Sequence, residues 1–344
     1  MVESGEPQQA YRTSGSGVAA EADPGSTRQG RVGQQIQIRC KDAVTLVGTY
    51  YAARCARATS DDAQQNAPGP RKQGRLPILL CPATGIRQQF YRHFCEWLSQ
   101  QGRDVLVFDH RGIGESRHGS LVDDTSRLQD WGVYDQPAAL DHLLTLTGAE
   151  RAVMIGHSAG GQMMGLWHNH RRLAAVVSIS GSTGYLGGMP LKMRALAAFM
   201  FYLYLPFSVR LWGEARTRSL GWGENLPRGV ARQWAKWCSS PGYVANALGK
   251  TTEVDHHDEL TIPITVLHAS DDPIATPANV ADLLRLFPAA STSADCVTPA
   301  SLGYTRLGHI DWFRPSKDRA WPRIVEGLKA LEAFDSLSQD RQSP

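Results

Sequence analysis

The stretch from Arg151 to Gln162 constrains this chain more than any other. Ala152 to Ile155 is a short apolar run, and Gly156-His157-Ser158-Ala159-Gly160 follows it without a gap. Gln162 to His168 is compatible with a helix. Strand, sharp turn and helix in that order form the context in which a Gly-x-Ser-x-Gly match carries meaning. Gly156 and Gly160 lack a β-carbon, so strand and helix can approach closely around a strained serine. Ser158 is also expected at a helix N-terminus, where unpaired N–H groups favour developing negative charge. A glycine-rich turn in an ordinary βαβ unit is the competing reading. The flanking elements favour a serine hydroxyl exposed at the end of a sheet.

The rest of the chain supplies that sheet. Gln35 to Cys40 and Val44 to Ala52 read as two strands around the Lys41-Asp42 turn. Leu76 to Cys81 and Val105 to Phe108 are continuous apolar runs, the pattern of strands buried on both faces. Phe90, Phe94, Trp97 and Leu98 mark one face of a helix between them, with Gly102 ending it. Pro137 to Leu146 is a second helix, and Ala174 to Ile179 a further strand. This alternation predicts an α/β fold, a mostly parallel central sheet with helices on both faces, and ligands beyond the carboxyl ends of the strands. Ile264 to His268 resumes the sheet, about Ala278 to Phe287 is helical, and a last strand falls between Ser293 and Ala300. Trp321, Ile324, Val325, Leu328 and Leu331 mark the final helix.

The expected organisation is a tail over residues 1–32, a core over 33–180 and 259–336, an insertion over 181–258 and a frayed end over 337–344. Residues 54–75 are a polar, flexible loop within the core. The insertion is rich in aromatic residues, and its most apolar part is Ala195 to Phe207, too short at that length to span a bilayer. Val230, Trp234 and Trp237 predict a second amphipathic helix. Inserted between sheet strands, the segment would roof the strand ends as a cap or lid. Its apolar residues either line a hydrophobic pocket or fasten the cap to the body. Peripheral membrane contact through Phe199 to Phe207 is a weaker reading.

Composition removes several classes. A formal net charge of +3 is too balanced to argue for nucleic acid or an anionic membrane as a partner. Of the six cysteines, none are spaced as Cys-x-x-Cys or set with histidine as zinc ligands. The first residues have no signal-like apolar core, and Glu3, Glu6, Glu21 and Asp23 argue against a transit peptide. The expectation is a cytoplasmic protein with reduced thiols, several of them filling the core. Neither cofactor nor metal is expected. His256 and His257 stand between Asp255 and Asp258 but lack a third element at ligand spacing, and His168 and His170 read as solvated. No Gly-x-Gly-x-x-Gly follows an early strand to suggest a dinucleotide.

A serine hydroxyl needs a base to take its proton, and the base works best when a carboxylate orients it. Both are expected downstream, in loops that follow strands, in the order serine, acid, histidine. Asp272 is the favoured acid, fixed by Pro273-Ile274, with Asp271 as alternative. His309 alone among the histidines stands in the loop before the final helix. His157 should point away into packing. Two N–H donors should face a developing oxyanion. Ala159 is one, and Ala83 the other, with Thr84 as its alternative. Pro82 has no N–H to give.

Together these residues resemble the α/β-hydrolase superfamily, from about Gln35 to Phe334. The turn Asp109-His110-Arg111-Gly112-Ile113-Gly114-Glu115-Ser116 looks like that superfamily's turn after the fourth strand. More narrowly, Pro82-Ala83-Thr84-Gly85, Asp130-Trp131-Gly132, Gly156 to Gln162 and Gly308 to Phe313 resemble a group known as predicted or uncharacterised α/β hydrolases. That group sits near the serine-aminopeptidase-like and monoglyceride-lipase-like branches. The resemblance implies the fold and a triad of Ser158, Asp272 and His309, but no substrate. Many relatives carry His-Gly or Asn-Gly where this chain has Cys81-Pro82.

The function expected is a serine hydrolase of the esterase or lipase type, acting on a small ester or thioester with an apolar acyl group through an acyl-enzyme. A peptidase or acyltransferase would use the same triad. A non-catalytic binding or scaffold protein on this fold is the alternative from another class. Oligomeric state is not legible.

Overall fold

The computed structural model describes residues 33–54 and 75–328. The expected tails at 1–32 and 337–344, and nearly all of the loop expected at 54–75, lie outside the described residues. Eight strands form one sheet: β1 (Gln34–Arg39), β2 (Thr45–Tyr51), β3 (Ile78–Cys81), β4 (Val105–Phe108), β5 (Ala152–His157), β6 (Leu173–Ile179), β7 (Ile264–Ala269) and β8 (Thr292–Val297). Their order is β1-β2-β4-β3-β5-β6-β7-β8. β2 is antiparallel to both β1 and β4, and every later pairing is parallel.

Hydrophobic burial explains this order. β3, β4, β5 and β6 are buried along their whole length, as their unbroken apolar runs predict. Side chains alternate between two cores. Ile78, Val107, Val153 and Val177 face one with Phe94, Trp312 and Ile324. Leu79, Leu106, Met154 and Val176 face the other with Leu140, Leu143 and Val280. The first core is covered by helix α1 (Arg92–Gln100) and a helix over residues 321–328. The second is covered by α2 (Gln136–Thr147) and α5 (Pro277–Leu284).

Between β6 and β7 lie two longer helices, α3 (Leu191–Trp212) and α4 (Arg228–Cys238). α3 has 22 residues, so the apolar segment is longer than the Ala195 to Phe207 expectation and, by length and composition alone, sufficient to cross a membrane. Pro206 does not end it. The prolyl ring removes one N–H and crowds the preceding turn, and a π-helical turn at Met200–Tyr204 absorbs the mismatch. One face of α3 packs inward through Ala197, Met200, Phe201, Leu205 and Val209, against Trp131, Met163 and Trp237.

A second expectation is corrected beside Ser158. No helix forms over Gln162 to His168. Short 3₁₀ turns run at Ser158–Gly161 and Met164–Leu166 instead. Gly160 and Gly161 press the chain against β3 and β6 too tightly for a regular helix to start. A β-carbon at Gly160 would fall on the Cys81 carbonyl, and one at Gly161 on Ser178 Oγ. Four of the described cysteines, Cys40, Cys81, Cys95 and Cys238, are buried free thiols, and Cys296 is an exposed one.

Candidate active site

β5 ends at His157, and the next residue turns sharply. Ser158 has φ of +49°, in the left-handed region that L-residues avoid. The close approach of Gly156 to Gly161 and of Gly160 to Cys81 holds it there. The strain of such a residue persists only where the surroundings over-determine it.

Two loops converge on the Ser158 hydroxyl. His309 Nε2 lies 2.9 Å from Ser158 Oγ. His309 Nδ1 lies 2.8 Å from Asp272 Oδ2. The Asp272 side chain is fully buried, and its other oxygen accepts the N–H groups of Ile274 (2.8 Å) and Ala275 (2.9 Å). Burial works against the charged carboxylate, but the His309 ring and these hydrogen bonds outweigh it, holding Asp272 below its ordinary value of 3.8. The structure thus brings Ser158, Asp272 and His309 together.

Asp271, the alternative acid, is placed differently. Its two oxygens accept the N–H groups of Leu307 (3.0 Å) and Gly308 (2.9 Å). It fastens the loop that carries His309, while Asp272 fastens the ring. The same loop is held from the other side by Trp312, whose Nε1–H donates to Gly308 O at 3.1 Å.

Beneath the serine lies a buried chain that sequence reasoning missed. His157 does not merely pack. Its Nε2 lies 3.0 Å from the His309 carbonyl oxygen, so Nε2 carries the proton. Nδ1 is then the acceptor, and the Tyr91 hydroxyl donates to it at 2.8 Å. Tyr91 Oη in turn accepts the Ala83 N–H at 3.0 Å. Burial, reinforced by nearby His309, pulls His157 down to about 3, which keeps the ring neutral in this tautomer. A tyrosine on an apolar helix face gives no sequence signal of such a contact.

The same contact corrects one oxyanion expectation. The Ala83 N–H is engaged by Tyr91, which leaves Thr84 as the candidate on that turn. Ala159 is the second residue of its 3₁₀ turn, where an N–H has no partner within the turn. Both Thr84 and Ala159 line the cavity above Ser158.

That cavity measures about 560 Å³. Ser158 and His309 sit in its wall, with Met193, Ala197 and Phe201 of α3 and Trp234 of α4. The insertion therefore contributes both lining and packing residues. A third set, Phe199, Tyr202, Leu203 and Phe207, is half or more exposed on the outward face of α3, where Tyr202 donates to Ser239 Oγ at 3.0 Å.

The histidines outside this site also need correction. His170 is buried rather than solvated, and it stacks on His256 with ring centroids 4.7 Å apart. His256 therefore does find further groups. Its Nδ1 lies 2.8 Å from Glu259 Oε1, and His170 Nε2 lies 3.6 Å from Glu259 Oε2. These three are close enough to share a cation. Against that, Arg171 holds the same Glu259 oxygen at 3.0 Å. The cluster reads as an ion-paired knot tying the end of the insertion to the start of β6. His257, its neighbour, is held by Asp255 (2.6 Å).

Residues 75–298, more than half of the chain, match the family described as Serine aminopeptidase, S33. No curated protein matches the sequence. Among solved structures, an esterase from Thermogutta terrifontis is similar at 17% identity and a TM-score of 0.50, covering 87% of this chain and 99% of its own. A Pyrococcus furiosus esterase has 14% identity, a TM-score of 0.51 and coverage of 87% and 93%. A Paleococcus ferrophilus monoacylglycerol lipase has 15% identity, a TM-score of 0.50 and coverage of 82% and 98%. At such identities these likenesses speak for the fold alone. With the family match over the core of the sheet, they place the protein: this chain is an α/β hydrolase and belongs to the Serine aminopeptidase, S33 family.

Proposed function

We propose that the protein is a serine hydrolase of the esterase type, cleaving an ester or thioester with an apolar acyl group. The observation that carries this reading is the hydrogen-bonded series Ser158 Oγ, His309 Nε2, His309 Nδ1, Asp272 Oδ2 in the wall of an apolar cavity. His309 Nε2 takes the hydroxyl proton as Ser158 Oγ bonds to the substrate carbonyl carbon. The carbonyl oxygen becomes an oxyanion facing the N–H groups of Ala159 and Thr84. As the intermediate collapses, His309 returns the proton to the departing alcohol or thiol. Water, deprotonated by His309 in the same way, then attacks the acyl-enzyme and releases the acid. Asp272 stays ionised throughout and stabilises the imidazolium.

The cavity favours an acyl chain over a peptide. An aminopeptidase must hold an ammonium group beside the scissile bond. Among the described lining residues Asp311 supplies the carboxylate, and Arg314 already occupies it at 2.6 Å. Met193, Ala197, Phe201 and Trp234 offer an apolar wall instead. In this reading residues 181–258 form a cap over the reactive serine.

The test is labelling of purified protein by a fluorophosphonate probe, wild type beside Ser158→Ala and His309→Ala. Labelling of the wild type alone is expected, followed by turnover of nitrophenyl esters. A folded wild type that neither labels nor turns over would sink this reading and favour a non-catalytic binding role.

A further inference from the structure

We infer that the outward face of α3 is a docking surface for a lipid bilayer carrying anionic headgroups. The apolar cavity beneath would then draw its acyl substrates from that surface. The substrate part rests on the hydrolase reading, while the docking itself does not.

α3 is apolar on two faces, which a helix lying on a protein in water does not need to be. Its inner face is committed to the body through Met200, Leu205 and Val209. Its outer face carries Phe199, Tyr202, Leu203, Phe207 and Leu211, each half or more exposed. Their spacing of three, four or one puts them on one stripe along the helix. Trp212 continues the patch, its ring centroid 6.1 Å from that of Phe207. A contiguous apolar face of this kind marks an interaction site.

Charge and geometry select the partner. Lys192, Arg194 and Arg210 are exposed on α3, Arg218 follows it, and no acidic residue occurs from Leu191 to Gly213. The first, Glu214, is largely buried, takes a hydrogen bond from Asn225 (2.9 Å) and pairs with Arg216 (3.7 Å). Apolar and aromatic side chains bordered by lysine and arginine suit the boundary between acyl chains and anionic headgroups. A second copy of the chain is a poorer partner, because a two-fold contact through this face would set the same basic residues against one another. Spanning the bilayer is disfavoured as well, since the inner face would have to leave its packing. A helix lying in the interface needs no such loss. The same helix supplies Met193, Ala197 and Phe201 to the cavity wall, so the docking face and the cavity share one element.

The experiment is co-sedimentation of the full chain with vesicles of phosphatidylcholine and phosphatidylglycerol in equal parts, and with phosphatidylcholine alone. Wild type should partition into the mixed vesicles, and less so as salt is raised. Phe199→Ser, Leu203→Ser and Phe207→Ser together should lower that partition by at least about tenfold. None of the three lines the cavity, so hydrolysis of a soluble short-chain ester should be unchanged. Lys192→Glu with Arg210→Glu, both solvent-facing, should abolish the preference for mixed vesicles. It also serves as the deciding variant if the triple substitution fails to fold. Wild type that stays in the supernatant, or variants that sediment like wild type, would overturn the proposal. So would light scattering that shows a dimer made monomeric by the triple variant, because the face would then belong to a second copy. Sedimentation without fluorophosphonate labelling would leave the docking surface standing and remove the hydrolase reading. Labelling without sedimentation would do the reverse.

Discussion

The Tyr91 hydroxyl and His157 Nδ1 meet at 2.8 Å in the buried layer directly under Ser158. Through this contact the turn after β3, which carries Thr84, is tied to the loop that carries His309. Tyr91→Phe removes the hydroxyl and strands two buried groups, the Ala83 N–H and His157 Nδ1. Each unpaired group costs about 1–3 kcal/mol. Urea unfolding should show that loss. kcat should fall while KM holds, since the contact orients catalytic elements rather than touching substrate. Unchanged unfolding would show that the hydroxyl is not held there.

The two adjacent aspartates should separate cleanly. Asp272→Asn removes the charge facing the His309 imidazolium and should lower kcat by about 10³–10⁴. Asp271→Asn keeps an acceptor for only one of the Leu307 and Gly308 amides and sets an NH2 against the other, and should cost about tenfold through looser placement of the ring. Steady-state kinetics on a nitrophenyl ester reads both. A larger effect from Asp271 would reverse the assignment.

Acid stability should report the buried histidines. His157 and His110 are both pulled from their ordinary 6.5 down to about 3 by burial, with His309 and Arg111 respectively adding to it. Below pH 6.5 the unfolded chain takes up these protons and the folded chain does not. Stability is therefore full above pH 6.5 and lost as pH falls toward 3, by up to about 1.4 kcal/mol per pH unit for each histidine. Urea unfolding at several pH values should show a shallower slope for His157→Gln than for wild type.

Gly160→Ala should disrupt the serine turn, because the new methyl group meets the Cys81 carbonyl in a layer with no room to yield. A loss of about 3 kcal/mol or more is expected, with fluorophosphonate labelling reduced in whatever folds. A variant that unfolds and labels like wild type would show that the turn is not closely packed.

Ala197 lines the cavity and is itself almost fully buried. Ala197→Phe should fill part of the space, lowering kcat/KM for long-chain esters by about tenfold to a hundredfold while sparing acetyl esters. An equal effect on both lengths would place the acyl chain elsewhere.

The residues that the sequence made legible share a physical reason. Buried parallel strands must be apolar throughout, so β3 to β6 show as unbroken runs. A strained serine between strand and turn needs glycine where the backbones touch, so Gly156 and Gly160 mark Ser158. Asp272 and His309 follow because the loops after strands are where this architecture gathers side chains at the strand ends. The expectation of a helix after Gly160 failed for the same reason that the glycines were informative. They allow an approach so close that only 3₁₀ turns fit.

By itself, then, the sequence determined the sheet, the serine turn and the residues able to act with it, because periodicity and backbone sterics are local. Tertiary structure alone decided which neighbour of a pair does what. Asp271 and Asp272 have near-identical local context, and only the fold shows one on backbone amides and the other on the imidazole. Tyr91, His157 and His170 likewise acquire partners 8, 66, 86 or 152 residues away, through contacts that no local pattern encodes. The exposed stripe of α3 belongs with these. Its residues are as apolar as those that face the body, and only packing reveals which of them the protein leaves uncovered.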